Sequence, residues 1–502
     1  MNANKTPSSD KEKALTQKDA THKEGGLKAP QRAPIPFEDP LYYDEADFEK
    51  ELRRVADICH TCRRCFNLCK SFPKLFDAFD TSKTGEVDSL TREDFQPAID
   101  ACTLCDMCFM VKCPYVPPHP FNIDFPKLML RARAIEARKK GIGFAKNQLT
   151  RTDRNGSLGC KVSGLANWAT KTSNKLTRPI MEKVTGVDQR ADLPHFEKKT
   201  FDKGAVPAKP NTKAPGFGEK AVLYTTCFVN YHNAAIGQAA LKVLAHNGID
   251  VEVFYPGCCG MPRLEQGCVE EVSLKAKRLS QQLHVFAEKG LPIITLVPSC
   301  TLMITHEWPL LHPKDSVIQK VAESTQDITA FLVALSKRKG LSEGLKSVKE
   351  GVTLHIPCHA RAQNKGRQAE LLLRHLPNTS LNTLERCSGH GGSWGIFKEN
   401  FQDALDVGKP VMRGIAKDNK TRVVSECPLA AAHLKQGVDL LPENKKTDQQ
   451  TFQPVTQPAP VGGTSCASGT PCQGSSCHML SKAGQTFEHP IVLMARAWGL
   501  CA

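Results

Sequence analysis

The 502-residue sequence has no uninterrupted apolar run near the roughly 18 residues that a membrane-spanning helix needs. Its polar opening, MNANKTPSSDKEK, lacks the apolar stretch of a secretory leader. Both absences argue against a spanning or exported chain, though not against one lying on a membrane surface. Aromatic residues make up only 6% and attend no nucleic-acid recognition motif, so no nucleic-acid partner is expected. Gly389, Gly391, Gly392 and Gly395 do not fall into a G-x-G-x-x-G pattern behind a strand, which leaves no flavin or nicotinamide fingerprint. Oxidation of an organic substrate then belongs to another protein.

Cysteine, by contrast, is abundant, with 21 residues. Eight fall between Cys59 and Cys113, too crowded and regular for a secreted disulfide framework. Metal ligation in a reducing, cytoplasmic compartment is the better reading. The first group is Cys59-x2-Cys62-x2-Cys65-x3-Cys69, the second Cys102-x2-Cys105-x2-Cys108-x4-Cys113-Pro114. Three thiolates three residues apart let one loop reach three corners of an iron–sulfur cube, and in two-cluster ferredoxins the distant fourth cysteine serves the other cube. This assigns Cys59, Cys62, Cys65 and Cys113 to one [4Fe–4S] cluster, and Cys102, Cys105, Cys108 and Cys69 to a second. A zinc ribbon would use paired Cys-x2-Cys units, which uninterrupted triplets do not match.

The surrounding chain divides by composition. Residues 1–36 are Lys, Thr, Ser, Ala and Pro with few large apolar side chains and read as a disordered tail. Residues 37–126 form the helical two-cluster domain, with Phe48, Leu52 and Val55 on one helical face ahead of the first cysteine. Residues 127–220 hold 21 Lys and Arg against 8 Asp and Glu. Within this basic connector, Leu158, Leu165, Trp168, Leu176, Ile180 and Met181 alternate with lysines, which suits either a solvated connector or an amphipathic segment on a partner or anionic membrane.

From Ala221 strands and helices alternate, the mark of parallel βαβ units. Cys227, Cys258 and Cys300 recur as Cys358, Cys387 and Cys427 at offsets of 131, 129 and 127 residues, so one unit of about 130 residues occurs twice. The repeats span 221–350 and 351–444 with 486–502, the terminal helix packing back on the second repeat. Residues 445–485, with Cys466, Cys472 and Cys477, read as a low-complexity insertion. Each repeat's cysteines follow strands, at the sheet edge where open α/β folds bind ligands. Cys227, Cys258, Cys259 and Cys300 form one candidate metal set. Cys358, Cys387 and Cys427 form the other, with Ser388 in place of a second adjacent cysteine and His359 or His390 as further donors. Cys160 and Cys268 read as packing residues.

The two triplets, Cys258-Cys259-Gly260-Met261-Pro262, Pro357-Cys358-His359, Cys387-Ser388-Gly389-His390-Gly391-Gly392 and Glu426-Cys427-Pro428 together resemble a known group over about residues 50–445 and the final helix. It comprises proteins with two ferredoxin-type clusters and a duplicated cysteine-rich domain, among them the C subunit of anaerobic glycerol-3-phosphate dehydrogenase and the B and D subunits of heterodisulfide reductase. The resemblance implies a multidomain α+β and α/β chain: a helical two-[4Fe–4S] ferredoxin-like domain, then duplicated βαβ units. It implies an electron-transfer component, cytoplasmic or peripheral on the inner membrane face. The cubane domain would relay electrons from a partner such as a flavoprotein dehydrogenase, and the cysteine-rich domain would hold a further cluster or metal near a quinone or other acceptor.

Heterodisulfide reductases close the cysteine-rich motif with Cys-x-x-Cys, whereas Cys300 is followed by Thr301, Leu302 and Met303. An electron-transfer role is therefore favoured over a disulfide or persulfide reductase acting at Cys258 and Cys259. A structural metal-binding platform is the remaining alternative.

Overall fold

The computed structural model describes residues 30–441, 479–481 and 484–500. Cys466, Cys472, Cys477 and nearly all of the low-complexity stretch lie outside the described residues, as does most of the N-terminal tail.

The tail expected through residue 36 ends sooner. Ile35 and Phe37 are buried, and the Ile35 N–H donates to the Leu310 carbonyl at 2.8 Å. Arg32 reaches Asp106 and Asp124 at 2.8 Å each and lies over the Phe109 ring at 4.4 Å. Two shielded carboxylates need a cation, and Arg32 supplies it.

Helix α1 (Glu45–Cys62) begins where Asp44 accepts the Asp47 N–H at 2.7 Å and ends at Arg63, whose left-handed backbone breaks the helix. Its Phe48, Leu52 and Val55 face joins one core with α2 (Ser71–Asp80), α3 (Gln96–Ala101) and α4 (Phe125–Lys140). The boundary expected at residue 127 falls inside α4. That helix turns Leu128, Met129, Ala132 and Ile135 into the N-terminal core, and Leu130 and Ala134 into the core of the following sheet. A helix buried on both sides cannot be a domain edge.

Short helices cross the basic connector, among them α5 (Phe144–Leu149), α6 (Thr152–Lys161), α7 (Ser163–Thr170) and α8 (Thr177–Thr185). Among the described residues no helix is long and apolar enough to cross a membrane.

The rest is built on two parallel sheets. The first contains β1 (Lys220–Tyr224), β2 (Asp250–Phe254), β3 (Ile293–Thr295) and β4 (Thr325–Asp327) in the order β2-β1-β3-β4. Helices α9 (Ala234–His246) and α10 (Val269–Glu288) make the crossovers, and α11 (Ser316–Ser324) and α12 (Ile328–Arg338) flank the last strand. The second sheet contains β5 (Val352–His355), β6 (Leu381–Leu384), β7 (Arg422–Ser425), β8 (Met479–Leu480) and β9 (Thr486–Glu488) in the order β6-β5-β7-β9-β8. Only β8 runs antiparallel. Its helices are α13 (Gln368–Leu373), α14 (Lys398–Asp418), α15 (Pro428–Asp439) and α16 (Pro490–Ala497). The first four strands of each sheet thus share one topology, as the repeat of cysteine spacings predicts. Strands such as Val222-Leu223-Tyr224 are buried continuously because helices cover both faces.

The terminal helix touches β7 and α13 of the second repeat, as expected, but its larger contact lies elsewhere. α16 packs on α9 of the first repeat, and α12 packs on α13 of the second, so each repeat ends on the other's opening helix. Consecutive burial of Ile491, Val492, Leu493, Met494 and Ala495 requires apolar partners all round, which one sheet face does not provide. One apolar core therefore runs through both repeats.

Candidate metal centres

The N-terminal cysteines sit where helices end. Cys59 and Cys62 occupy the last turn of α1, Cys65 and Cys69 the loop before α2, and Cys102 follows α3. Leu104 and Asp106 adopt positive φ, folding the strip around Cys105 back on itself. Burial drives the Cys59 thiol above its ordinary range, and Cys113, Cys65 and Cys62 add repulsion in that order. Cys65 is pushed up to about 12 by burial and then by Cys113 and Cys62. These four sulfurs are neighbours across a separation of more than forty residues.

The other four gather likewise. Cys69 is pushed up to about 12 by burial and by Cys102. Cys108 is raised well above its usual range by burial, then by Cys105, Cys102, Cys65 and Cys69. Arg133, whose guanidinium donates to the carbonyls of Ile99 at 2.7 Å and of Cys102, ties this strip to the Glu265 carbonyl at 2.9 Å.

At the carboxyl edge of the first sheet, Cys227 follows β1, Cys258 and Cys259 follow β2, and Cys300 follows β3. The Cys259 and Cys300 sulfurs are 3.4 Å apart. The Cys258 thiol is held well below its ordinary range by hydrogen bonds from the Cys227 and Cys259 thiols, while Lys275 and Thr152 act in the same sense. Asp153, Tyr255 and Tyr224 complete this site. Asp153, at the start of α6, accepts the Cys258 N–H at 3.1 Å on either oxygen and the Tyr255 hydroxyl at 2.5 Å. The Tyr224 hydroxyl donates to the Gly257 carbonyl at 2.5 Å. Nothing local in the sequence points to Thr152 or Asp153, which sit in the basic connector about a hundred residues away from Cys258, whose thiol Thr152 meets and whose N–H Asp153 accepts.

The second sheet repeats the arrangement with Cys358 after β5, Cys387 after β6 and Cys427 after β7. Burial raises Cys358 far above its usual range, with Cys387 and Cys427 adding repulsion. The Ser299 hydroxyl and His359 Nδ1 are 2.7 Å apart, linking the two repeats. His390 is held neutral down to about 3 by burial, with His433 and His359 reinforcing it, and its Nε2 lacks a hydrogen-bond partner among the described residues. Cys160 packs against the Tyr231 carbonyl and Cys268 precedes α10; neither joins a group.

The groups form a continuous series. Cys65 neighbours Cys108, Cys105 neighbours Cys358 and Cys387, and Cys427 neighbours Cys300. Among the described residues, no three His, Cys, Asp or Glu side chains converge as ligands of a single ion. A cubane offers four separate iron corners, so its cysteines stand further apart than the ligands of one ion do. Buried thiols that repel one another stay protonated unless a cationic centre accepts them as thiolates. The eight N-terminal donors therefore fit iron–sulfur clusters, whereas the Cys259 and Cys300 sulfurs, 3.4 Å apart, stand closer than thiolates on two corners of one cube.

Residues 221–305 and 352–435 each match the CCG family, described as a cysteine-rich domain. Over 306 residues, 60% of this chain and 74% of the relative, the sequence is 26% identical to the C subunit of anaerobic glycerol-3-phosphate dehydrogenase of Escherichia coli (strain K12). It is 27% identical over 230 residues to the B subunit of fumarate reductase (CoM/CoB) of Methanothermobacter marburgensis, covering 44% of this chain and 43% of that one. An uncharacterised iron–sulfur protein of Methanocaldococcus jannaschii shares 26% identity over 235 residues, 46% of this chain and 44% of its own.

Proposed function

We propose that this chain, which carries a duplicated CCG cysteine-rich domain, is the iron–sulfur electron-transfer component of an oxidoreductase. The carrying observation is the unbroken series of buried and half-buried cysteine groups from Cys59 at one end to Cys227 at the other. In this reading Cys59, Cys62, Cys65 and Cys113 hold one [4Fe–4S] cluster in a ferredoxin-type helical domain, and Cys102, Cys105, Cys108 and Cys69 hold the second. Cys227, Cys258, Cys259 and Cys300 bind a further cluster or metal, and Cys358, Cys387 and Cys427, with His390 as an available fourth donor, bind another.

Such centres supply one-electron steps at potentials set by burial and hydrogen bonds. The chain's own contribution is to keep them dry, adjacent and asymmetrically charged. Lys275 and the Asp153–Cys258 contact tune one end, and the Arg32–Asp106–Asp124 group flanks the middle. Electrons enter from a flavoprotein dehydrogenase partner and leave to a quinone or another redox acceptor, with the protein on the cytoplasmic face of the membrane. That one relative is part of a dehydrogenase and another part of a reductase supports this division of labour.

Anaerobically purified protein tests the reading. Iron and acid-labile sulfide in near-equal amounts, with at least eight irons per chain, and two interacting paramagnetic centres on reduction are expected. Colourless material without labile sulfide would sink it. Oxidation of an organic substrate by the isolated chain with an artificial acceptor would refute the absence of a substrate site.

The low-lying Cys258 thiol beside Cys259 favours a second reading, two-electron cleavage of a disulfide to two thiols at that site. Rapid reoxidation of reduced protein by a disulfide, abolished in Cys259→Ser, would favour it over simple relay.

A further inference from the structure

The helices of the basic connector carry a bare apolar surface that the fold does not use. Of the eighteen large hydrophobic residues exposed among the described residues, eight lie between 144 and 184. Leu158, Val162 and Leu165 recur at steps of four and three through α6 and α7, with exposures of 55, 53 and 65%. Leu176, just before α8, and Ile180 and Val184 on it recur at steps of four with 68, 58 and 62%. Helices α7 and α8 pack together, joined where the Thr177 hydroxyl donates to the Ala169 carbonyl at 2.6 Å. The inward sides are already occupied: Cys160 lies on the Tyr231 carbonyl, and the buried Arg178 donates to the carbonyls of Asp188 and Ala191 at 2.8 and 2.7 Å. Two apolar stripes in excess of what packing needs mark a contact surface.

The charge around the stripes says what they contact. Arg151, Arg154, Lys161, Lys171, Lys175 and Lys183 are exposed between residues 144 and 184, and no exposed acidic residue lies there. The two acids of this stretch are engaged elsewhere, Asp153 on Cys258 and Tyr255, and Glu182 on Lys398 at 2.8 Å. Lysine is depleted from the cores of protein interfaces, whereas at a bilayer its stem lies along apolar surface while the ammonium meets lipid phosphates. Trp168, 49% exposed on α7, is a residue type that favours the boundary between apolar and wet layers.

We infer that α6, α7 and α8 form a docking face for an anionic lipid bilayer, the apolar stripes entering the headgroup boundary and the six cations meeting acidic phospholipids. The face is coupled to the redox end of the molecule, because α6 exposes Leu158 near one end and holds Cys258 through Asp153 at the other. Lipid adsorption in this inference follows from surface chemistry alone and does not depend on what the cysteine groups carry.

The test is sedimentation of the full holoprotein with vesicles of phosphatidylglycerol and phosphatidylethanolamine, and with vesicles of phosphatidylcholine alone. The wild type should sediment with the acidic vesicles at least about tenfold more strongly than with the neutral ones, and raised salt should weaken it. Leu165→Glu with Ile180→Glu should lower binding more than about tenfold, and so should Lys161→Gln, Lys171→Gln, Lys175→Gln and Lys183→Gln combined, both with unchanged iron content and paramagnetic spectra. All these sites are exposed, so folding is not at stake. No sedimentation with acidic vesicles, or equal binding by wild type and both variants, would overturn the inference. So would a bound protein partner lost in the Leu165→Glu, Ile180→Glu variant while lipid binding is unchanged.

Discussion

Cys113 belongs, by position in the chain, to the second cysteine group, yet its sulfur adds to the charge felt by Cys59 and Cys65. Replacing Cys113 by Ser should therefore erase the same paramagnetic signal as replacing Cys62, and Cys69→Ser the same one as Cys105→Ser, each with loss of about four irons. Signals that pair Cys113 with Cys105 instead would contradict the crossed arrangement. Glu265 makes a different residue-scale case. Burial raises its carboxyl to about 8, with Arg133 partly opposing, and the close approach of the Gly392 backbone leaves it little water. The folded state then holds a proton between about pH 4.5 and 8 that the unfolded chain has released, so stability falls as pH rises through that window. Glu265→Gln should flatten this slope, by on the order of 5 kcal/mol between its ends, in thermal midpoints measured from pH 5 to 8.5.

Elements are held where they are by contacts as tight as any at the thiols. Gly389, in the loop carrying Cys387, has φ +84°, and a Cβ there would stand 1.9 Å from the Ala404 carbonyl oxygen of α14. Gly408 on the same helix meets the Ser388 carbonyl just as closely, at 2.2 Å from a would-be Cβ. The loop and helix touch backbone to backbone, so Gly389→Ala must both strain the chain and push α14 away. A loss of about 2–4 kcal/mol in the denaturant midpoint is expected, with release of whatever Cys387 binds while the two N-terminal signals persist. Loss of all paramagnetic signals together would show instead that the repeats and the N-terminal unit unfold as one.

At the scale of the whole molecule, the buried histidines make the fold acid-sensitive. Burial depresses His355, His433, His390 and His489 to about 4, 4, 3 and 3. Each stays neutral in the fold while its unfolded counterpart takes up a proton below about pH 6.5, so stability drops as pH falls from 6.5 toward 4. Circular dichroism melts should show the thermal midpoint falling over that range, and a flat profile would refute the assignment. His355 is 3.0 Å from the Ser425 hydroxyl and from the Arg386 carbonyl, between strands that carry Cys358 and Cys427 to the site. What could be read in the sequence was periodic and local: two cysteine triplets, a 130-residue repeat, alternation of strand and helix, and a basic stretch laced with leucine. Ligand spacing and hydrophobic rhythm depend on a handful of neighbouring residues, and so they survive in one dimension. The rest was decided by contacts between residues from 74 to well over a hundred positions apart: Arg32 neutralising Asp106 and Asp124, α4 serving two cores, each repeat's last helix packing against the other repeat, and Asp153 reaching Cys258. Buried charge and all-round apolar burial demand a partner without specifying where in the chain it lies, and only the folded chain answers that.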